Sequence, residues 1–184
     1  MNLKAPLRHL IRQRKQLFTI DERESQSYEI MRLLEDHPVF QKAHVVLLYA
    51  ALPDEVQTAK ILERWGTEKQ LLLPVVTGDS LEMRRFTGIE TLQQGSYGIP
   101  EPLTGQLFTD YATIDLAVIP GMAFTQDGKR LGRGKGYYDR LLSNPTFEKV
   151  YKIGLAFSYQ LLPEIPTSSH DVILNEVLTV SSVI

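Results

Sequence analysis

The chain has 184 residues, 43% hydrophobic and 23% charged, which suits one compact domain spanning residues 1–184 with a sizeable core. Twenty Lys and Arg against 22 Asp and Glu give a net charge of −2, arguing against a general nucleic-acid binder, which would be basic overall. With no cysteine there are no disulfides, thiolate metal sites or cysteine nucleophiles, and no run approaches the ~18 apolar residues of a membrane span.

Residues 2–18 carry Lys4, Arg8, Arg12, Arg14 and Lys15 and no acid. The segment lacks the apolar stretch and small-residue cleavage site of a secretory signal, so the cytoplasm is the expected compartment. Lys4, Arg8, Arg12 and Lys15 recur at four, four and three residues, a spacing that stacks them on one helix face. Leu3, Leu7, Leu10 and Ile11 then form an apolar stripe, and Pro6 is tolerable only in the first turn. Read alone, the cationic face is solvated. Thr19 and Glu22 have capping-box spacing and predict a helix to about His37, stopped by Pro38.

Residues 44–50 form an apolar run with β-branched members, the pattern of a strand buried on both faces. A helix capped by Asp54 is expected from Glu55 to about Trp65, then a second buried strand over 70–76 and an edge strand or hairpin arm over 81–86. Residues 95–102 (G-S-Y-G-I-P-E-P) must be irregular, with two glycines and two prolines. Further strands are expected at 115–119, 150–157 and 177–180. Strands alternating with helices predict a single three-layer α/β domain, a mainly parallel sheet with helices on both faces. In such sheets ligands sit beyond the carboxyl ends of the strands. Residues 50–55, 120–138 and 165–171 are expected to meet there as one cleft.

The central stretch is 120–142, P-G-M-A-F-T-Q-D-G-K-R-L-G-R-G-K-G-Y-Y-D-R-L-L. Gly128, Gly132, Gly134 and Gly136 alternate with Lys129, Arg130, Arg133 and Lys135, between a strand and an amphipathic stretch. Glycines let backbone N–H groups approach an anion, a helix start adds partial positive charge and the cations neutralise the rest. Asp139, one turn in, is placed to hold magnesium beside the phosphates. Neither common nucleotide loop fits. A Walker A loop would need glycine at Lys129 and a hydroxyl at Gly136, and a dinucleotide fingerprint from Gly132 would need glycine at Tyr137.

G-x-R-L-G-R-G-K-G-Y-Y-D-R after D-L-A-V-I-P-G-M-A-F resembles the signature of the 5-formyltetrahydrofolate cyclo-ligase (5,10-methenyltetrahydrofolate synthetase) family. The resemblance runs from Lys4 to about Thr179 and implies a Rossmann-like sheet similar to that of the sugar-phosphate isomerases and CoA transferases. It also implies ATP- and magnesium-dependent conversion of 5-formyltetrahydrofolate to 5,10-methenyltetrahydrofolate, with release of ADP and phosphate. Carried onto matching positions, Lys135 and Arg133 are implied to be catalytic. ATP would be bound by Lys4, Arg8, Arg130, Leu131, Gly132, Arg133, Gly134, Lys135, Gly136, Tyr137 and Tyr138. The folate would meet Ala50, Glu55, Arg133, Gly134, Lys135, Gly136 and Tyr137, and Asp139 and Asp171 would serve Mg2+.

Glu55, read alone, is a helix-dipole complement; the family's Glu-x-x-Thr, matched by Glu55-Val56-Gln57-Thr58, implies folate binding instead. The chain departs from the family at Gln57 and Asn175, where relatives carry acids, and no role is carried onto either. His170 beside Asp171 reads as a loop residue, because no Gly-x-Ser-x-Gly or His-Glu-x-x-His accompanies it. A monomer is expected, with small-molecule substrates and neither nucleic-acid nor membrane partners. A sugar-phosphate isomerase is the rival enzyme reading, distinguished by its independence of ATP. An RNA-binding module stacking bases on Tyr137 and Tyr138 is the non-enzymatic rival; Asp139 next to them would repel phosphate unless a metal intervened.

Overall fold

The computed structural model describes residues 3–168 and 171–180. Helix α1 (Lys4–Gln16) packs Ile11, Leu7 and Leu10 on the core, whereas Leu3 lies just outside the helix and is exposed. The Thr19 hydroxyl accepts the Glu22 N–H at 3.1 Å and the Glu22 carboxylate accepts the Thr19 N–H at 2.7 Å, so both orphan donors at the start of α2 (Ile20–Asp36) are satisfied. Pro38 does not open a loop. It starts a further short helix, α3 (Pro38–Lys42), at the position where a missing N–H costs nothing.

Strand β1 (Val45–Leu47) is shorter than the apolar run around it. Leu48 still donates to Leu72 O, but Tyr49 and Ala50 turn away into a loop. Helix α4 (Ala59–Trp65) begins four residues later than expected, because Glu55 accepts the Leu52 N–H and closes a separate turn. Asp54 therefore caps nothing, and Glu55 lies outside any helix. Strands β2 (Gln70–Thr77) and β3 (Ser80–Arg85) form an antiparallel hairpin. The two-residue strands β4 (Gln93–Gln94) and β5 (Pro100–Glu101) pair within the irregular segment, and β6 (Leu107–Phe108) covers β3, which is thus not the edge. Strand β7 (Leu116–Ile119) leads into a hairpin of β8 (Ala123–Phe124) and β9 (Arg130–Leu131), then helix α5 (Tyr137–Leu142). Strands β10 (Tyr151–Leu155) and β11 (Glu176–Leu178) complete the fold.

The main sheet runs β11-β10-β7-β1-β2-β3-β6, parallel from β11 through β2. Strand alternation divides the core. Leu116 and Val118 face α1, α2 and α4 with Val46, Leu71 and Ile153, while Ala117 and Ile119 face α5 with Leu47, Leu72 and Phe147. Each buried Val, Leu, Ile or Phe among these contributes about 1.5–3 kcal/mol, and an exposed ion pair about 1 kcal/mol or less. The two apolar layers therefore hold the sheet. After β1 the chain moves out to β2, and after β7 it moves the other way to β10. The loops leaving these adjacent strands diverge and open a crevice, the position where open α/β sheets bind ligands.

Candidate active site

A cavity of about 410 Å³ fills that crevice. Its floor comes from the ends of β1 and β2 (Tyr49, Ala50, Pro74, Val76), and its sides from Leu52, Glu55 and the glycine loop. Gly132, Arg133, Lys135, Gly136, Tyr137, Tyr138, Asp139 and Arg130 line it, as do Tyr97, Ile99 and Glu101. The expected first and second loops thus meet. Of the third, Asp171 does not line the cavity, and His170 lies outside the described residues.

The glycine-rich run proves to be two structures. Gly128, at φ +86°, turns the β8–β9 hairpin and lies so close to Leu174 O that a Cβ would collide with it. Lys129 pairs with Asp127 at 3.0 Å. Neither lines the cavity. The second structure is the short loop 132–136, where Gly134 (φ +103°) and Gly136 (φ +73°) adopt backbone that side chains resist. The Leu131 side chain is fully buried in the core and its carbonyl accepts the Met122 N–H, so only its remaining backbone faces could meet a ligand.

Most charges here are paired. Arg130, 7% exposed, donates to Asp139 Oδ1 at 2.5 Å and to Pro120 O at 3.1 Å, fixing the hairpin to α5. Arg133 spans Glu55 Oε1 (3.0 Å) and Asp54 Oδ1 (2.7 Å). Desolvation acts against the Arg133 charge, but these two acids outweigh it and its pKa is raised. Lys135 makes no ion pair among the described residues, and its Nζ lies 5.8 Å from the centre of the Tyr97 ring. Desolvation, reinforced by the Glu55 charge and opposed by Arg130, raises the Tyr138 phenol far above its ordinary range, so it stays neutral.

The cationic face of α1 is not simply solvated. Lys4 Nζ contacts both Asp171 oxygens at 2.7 and 2.6 Å, Arg8 Nε donates to Gly132 O at 2.9 Å, and Lys15 reaches Asp54 at 3.2 Å. The helix thereby closes the glycine loop from behind. Asp171 also accepts the Ser168 N–H. Burial raises its carboxyl, but the Lys4 and Ser168 hydrogen bonds prevail and lower it. Among the described residues no three His, Asp or Glu side chains cluster as a protein cage for a metal. Asp139 on the cavity wall is a hard oxygen donor suited to a magnesium ion that takes its other ligands from phosphate and water.

The two departures now have structural partners. The Gln57 amide donates to Leu52 O and Glu55 O, which a carboxylate could not do. Asn175 Oδ1 accepts the Lys152 N–H at 2.8 Å, joining β10 to the segment before β11. The expected site omitted Tyr97, Ile99 and Glu101. Their sequence signal was an aromatic residue beside glycine and an acid between two prolines in G-S-Y-G-I-P-E-P. Tyr97 adopts φ +60°, and its hydroxyl lies 3.1 Å from that of Tyr137.

These features define a doubly wound α/β protein with a cationic glycine loop facing a wall of aliphatic side chains, tyrosines and carboxylates. The sequence profile described as the 5-formyltetrahydrofolate cyclo-ligase family matches residues 1–180. The 5-formyltetrahydrofolate cyclo-ligase of Mus musculus is 32% identical, over 95% of this chain and 92% of the mouse protein. That of Escherichia coli K12 is 28% identical, over 95% and 98%. The NMR structure of Aquifex aeolicus 5,10-methenyltetrahydrofolate synthetase superposes with a TM-score of 0.84 at 33% identity, covering 96% of this chain and 89% of that one. The Mycoplasma pneumoniae 5,10-methenyltetrahydrofolate synthetase gives 0.74 at 25% identity, covering 97% and 99%. The chain belongs to the 5-formyltetrahydrofolate cyclo-ligase family and is an enzyme of the ligase class.

Proposed function

We propose that the enzyme converts 5-formyltetrahydrofolate and ATP into 5,10-methenyltetrahydrofolate, ADP and phosphate, acting as a monomer in the cytoplasm. The observation that carries this reading is one cavity in which Glu55 and aliphatic and aromatic side chains face Arg133, Lys135, Gly132 and Gly136. Such a cavity offers one side to a heterocycle and the other to a polyphosphate. Among the described residues no helix is long and apolar enough to cross a membrane.

The N5-formyl group is an amide, with a weakly electrophilic carbon and an oxygen that leaves poorly. Transfer of the γ-phosphoryl group to that oxygen releases ADP and makes the oxygen a leaving group. N10 then attacks the formyl carbon, the five-membered ring closes and phosphate departs. The protein supplies position and charge rather than covalent chemistry. Lys135, free of any ion pair among the described residues, and Arg133 offset charge on the migrating phosphoryl group. Lys4 and Arg8 hold the nucleotide behind the loop, and Gly132, Gly134 and Gly136 present backbone to it. Arg130 orients Asp139, Tyr138 meets the nucleotide, and Ala50, Glu55 and Tyr137 contact the folate. Asp139, and Asp171 once Lys4 turns to phosphate, would hold the magnesium that accompanies ATP, an ion that would offset phosphate charge.

The test is to mix the enzyme with 5-formyltetrahydrofolate, ATP and magnesium and follow the methenyl chromophore. ATP-dependent appearance of that absorbance is expected. Its absence, or turnover without ATP, would overturn the proposal.

A further inference from the structure

Three carboxylates line the cavity, and two are neutralised within it: Glu55 by Arg133 and Asp139 by Arg130. The third, Glu101, has no cation partner among the described residues although only 2% of it is exposed. Its Oε1 accepts one hydrogen bond, from the Val76 N–H at 3.2 Å. Its Oε2 lies against Gly95, where a Cβ would collide with it. Strand β5 and the turn of residues 95–99 thus carry the acid over the end of β2 and set it among Pro74, Val76, Leu81 and Ile99. A carboxylate has about four acceptor positions, and burial with most of them unused is unfavourable unless a donor arrives.

We infer that Glu101 is a substrate-specificity residue whose carboxylate accepts hydrogen bonds from the amino and ring N–H edge of the bound heterocycle. This inference rests on the folate reading. A reduced pterin carries a 2-amino group beside the N3–H, a pair of parallel donors matching the two lone-pair directions of a carboxylate. Glu55, already occupied by the Arg133 guanidinium and the Leu52 N–H, has less capacity left for such an edge. An analogue lacking the amino group would leave Glu101 buried and under-satisfied, the arrangement by which a binding site rejects close analogues most strongly.

Isothermal titration of wild type and Glu101→Gln with 5-formyltetrahydrofolate and with its 2-desamino analogue tests this. Glutamine keeps an oxygen for the Val76 N–H but removes the charge. Wild type should prefer the amino compound by about ten- to hundredfold, the scale of hydrogen bonds to a charged group. In Glu101→Gln affinity for the amino compound should fall by at least about tenfold, and the preference should shrink toward unity. Melting temperature and affinity for a non-hydrolysable ATP analogue should not change. Equal loss for both folates, or wild-type affinity in Glu101→Gln, would overturn the inference and leave the folate reading intact. Failure of wild type to bind 5-formyltetrahydrofolate would overturn both.

Discussion

The Arg133 guanidinium occupies Glu55: Nη2 and Nε lie 3.0 and 3.2 Å from Glu55 Oε1. A loop cation and the acid expected to meet the folate therefore neutralise each other across 78 residues of sequence. Any ligand group that binds one of them changes the surroundings of the other.

Glu55→Gln should accordingly act on folate rather than on nucleotide. We expect 5-formyltetrahydrofolate affinity to fall by about 2 kcal/mol, the value of a charge-assisted hydrogen bond. Arg133 keeps Asp54 as its partner, so ATP affinity should stay near wild type. Separate calorimetric titrations check both halves, and equal loss for both ligands would contradict the assignment.

Lys135→Ala should leave the melting temperature unchanged, since Lys135 makes no ion pair among the described residues. Its kcat/KM for ATP should drop by the equivalent of about 2–4 kcal/mol, the scale of losing one charge-stabilising donor. Wild-type kinetics would remove Lys135 from the mechanism.

Gly134→Val places a β-branched residue at φ +103°, with the Arg8 guanidinium 3.5 Å from the new Cβ. The positive φ is strained for a β-branched residue, so the loop must rearrange. Loss of ATP binding with a folded circular dichroism spectrum is expected. Unchanged nucleotide affinity would make the loop an ordinary surface turn.

Asp139→Asn tests two roles. Arg130 is buried and would lose its carboxylate, so stability should fall by about 1–3 kcal/mol in urea unfolding. An amide is also a poorer ligand for a hard cation, so the magnesium concentration for half-maximal activity should rise. The same magnesium dependence as wild type would leave Asp171 as the remaining candidate ligand.

Asp54 supplies a pH signature. Burial raises its carboxyl, but hydrogen bonds and charge from Arg133, then Lys15, bring the folded pKa below 3.8. Because the folded value is the lower one, the stabilisation is complete above the ordinary value and is lost as pH falls through the depressed one. The stability difference between wild type and Asp54→Asn should be about 1 kcal/mol at neutral pH and should shrink as pH falls through the depressed folded value. A difference that persists in acid would show that it comes from packing instead.

Local signals were legible where local contacts decide. Thr19 and Glu22 lie three residues apart and form the capping box that their spacing predicts. Apolar runs located β1, β2, β7, β10 and β11, and Gly132–Lys135–Asp139 marked one wall of the cavity. Glu55 shows where that reasoning stops. Its place after a strand suggests a helix start, yet its side chain closes a turn on Leu52 and reaches an arginine far along the chain. The division of the glycine run into hairpin and loop depends on β8 pairing with β9 and on Leu174 lying across Gly128. Glu101 was illegible as a site residue because the contact that places it, Val76 N–H, belongs to another strand.

The ties around the loop join remote parts of the chain: Arg8 to Gly132 across 124 residues and Lys4 to Asp171 across 167. Contacts of such separation become favourable only after the intervening strands have paired, since each long closure costs chain entropy in advance. These ties behind the glycine loop are therefore expected to form after the sheet has paired. A partly folded chain would carry the same cations with nothing to converge them. Regain of nucleotide binding during refolding should therefore lag behind recovery of sheet signal, and the lag should lengthen when Lys4 or Asp171 is neutralised.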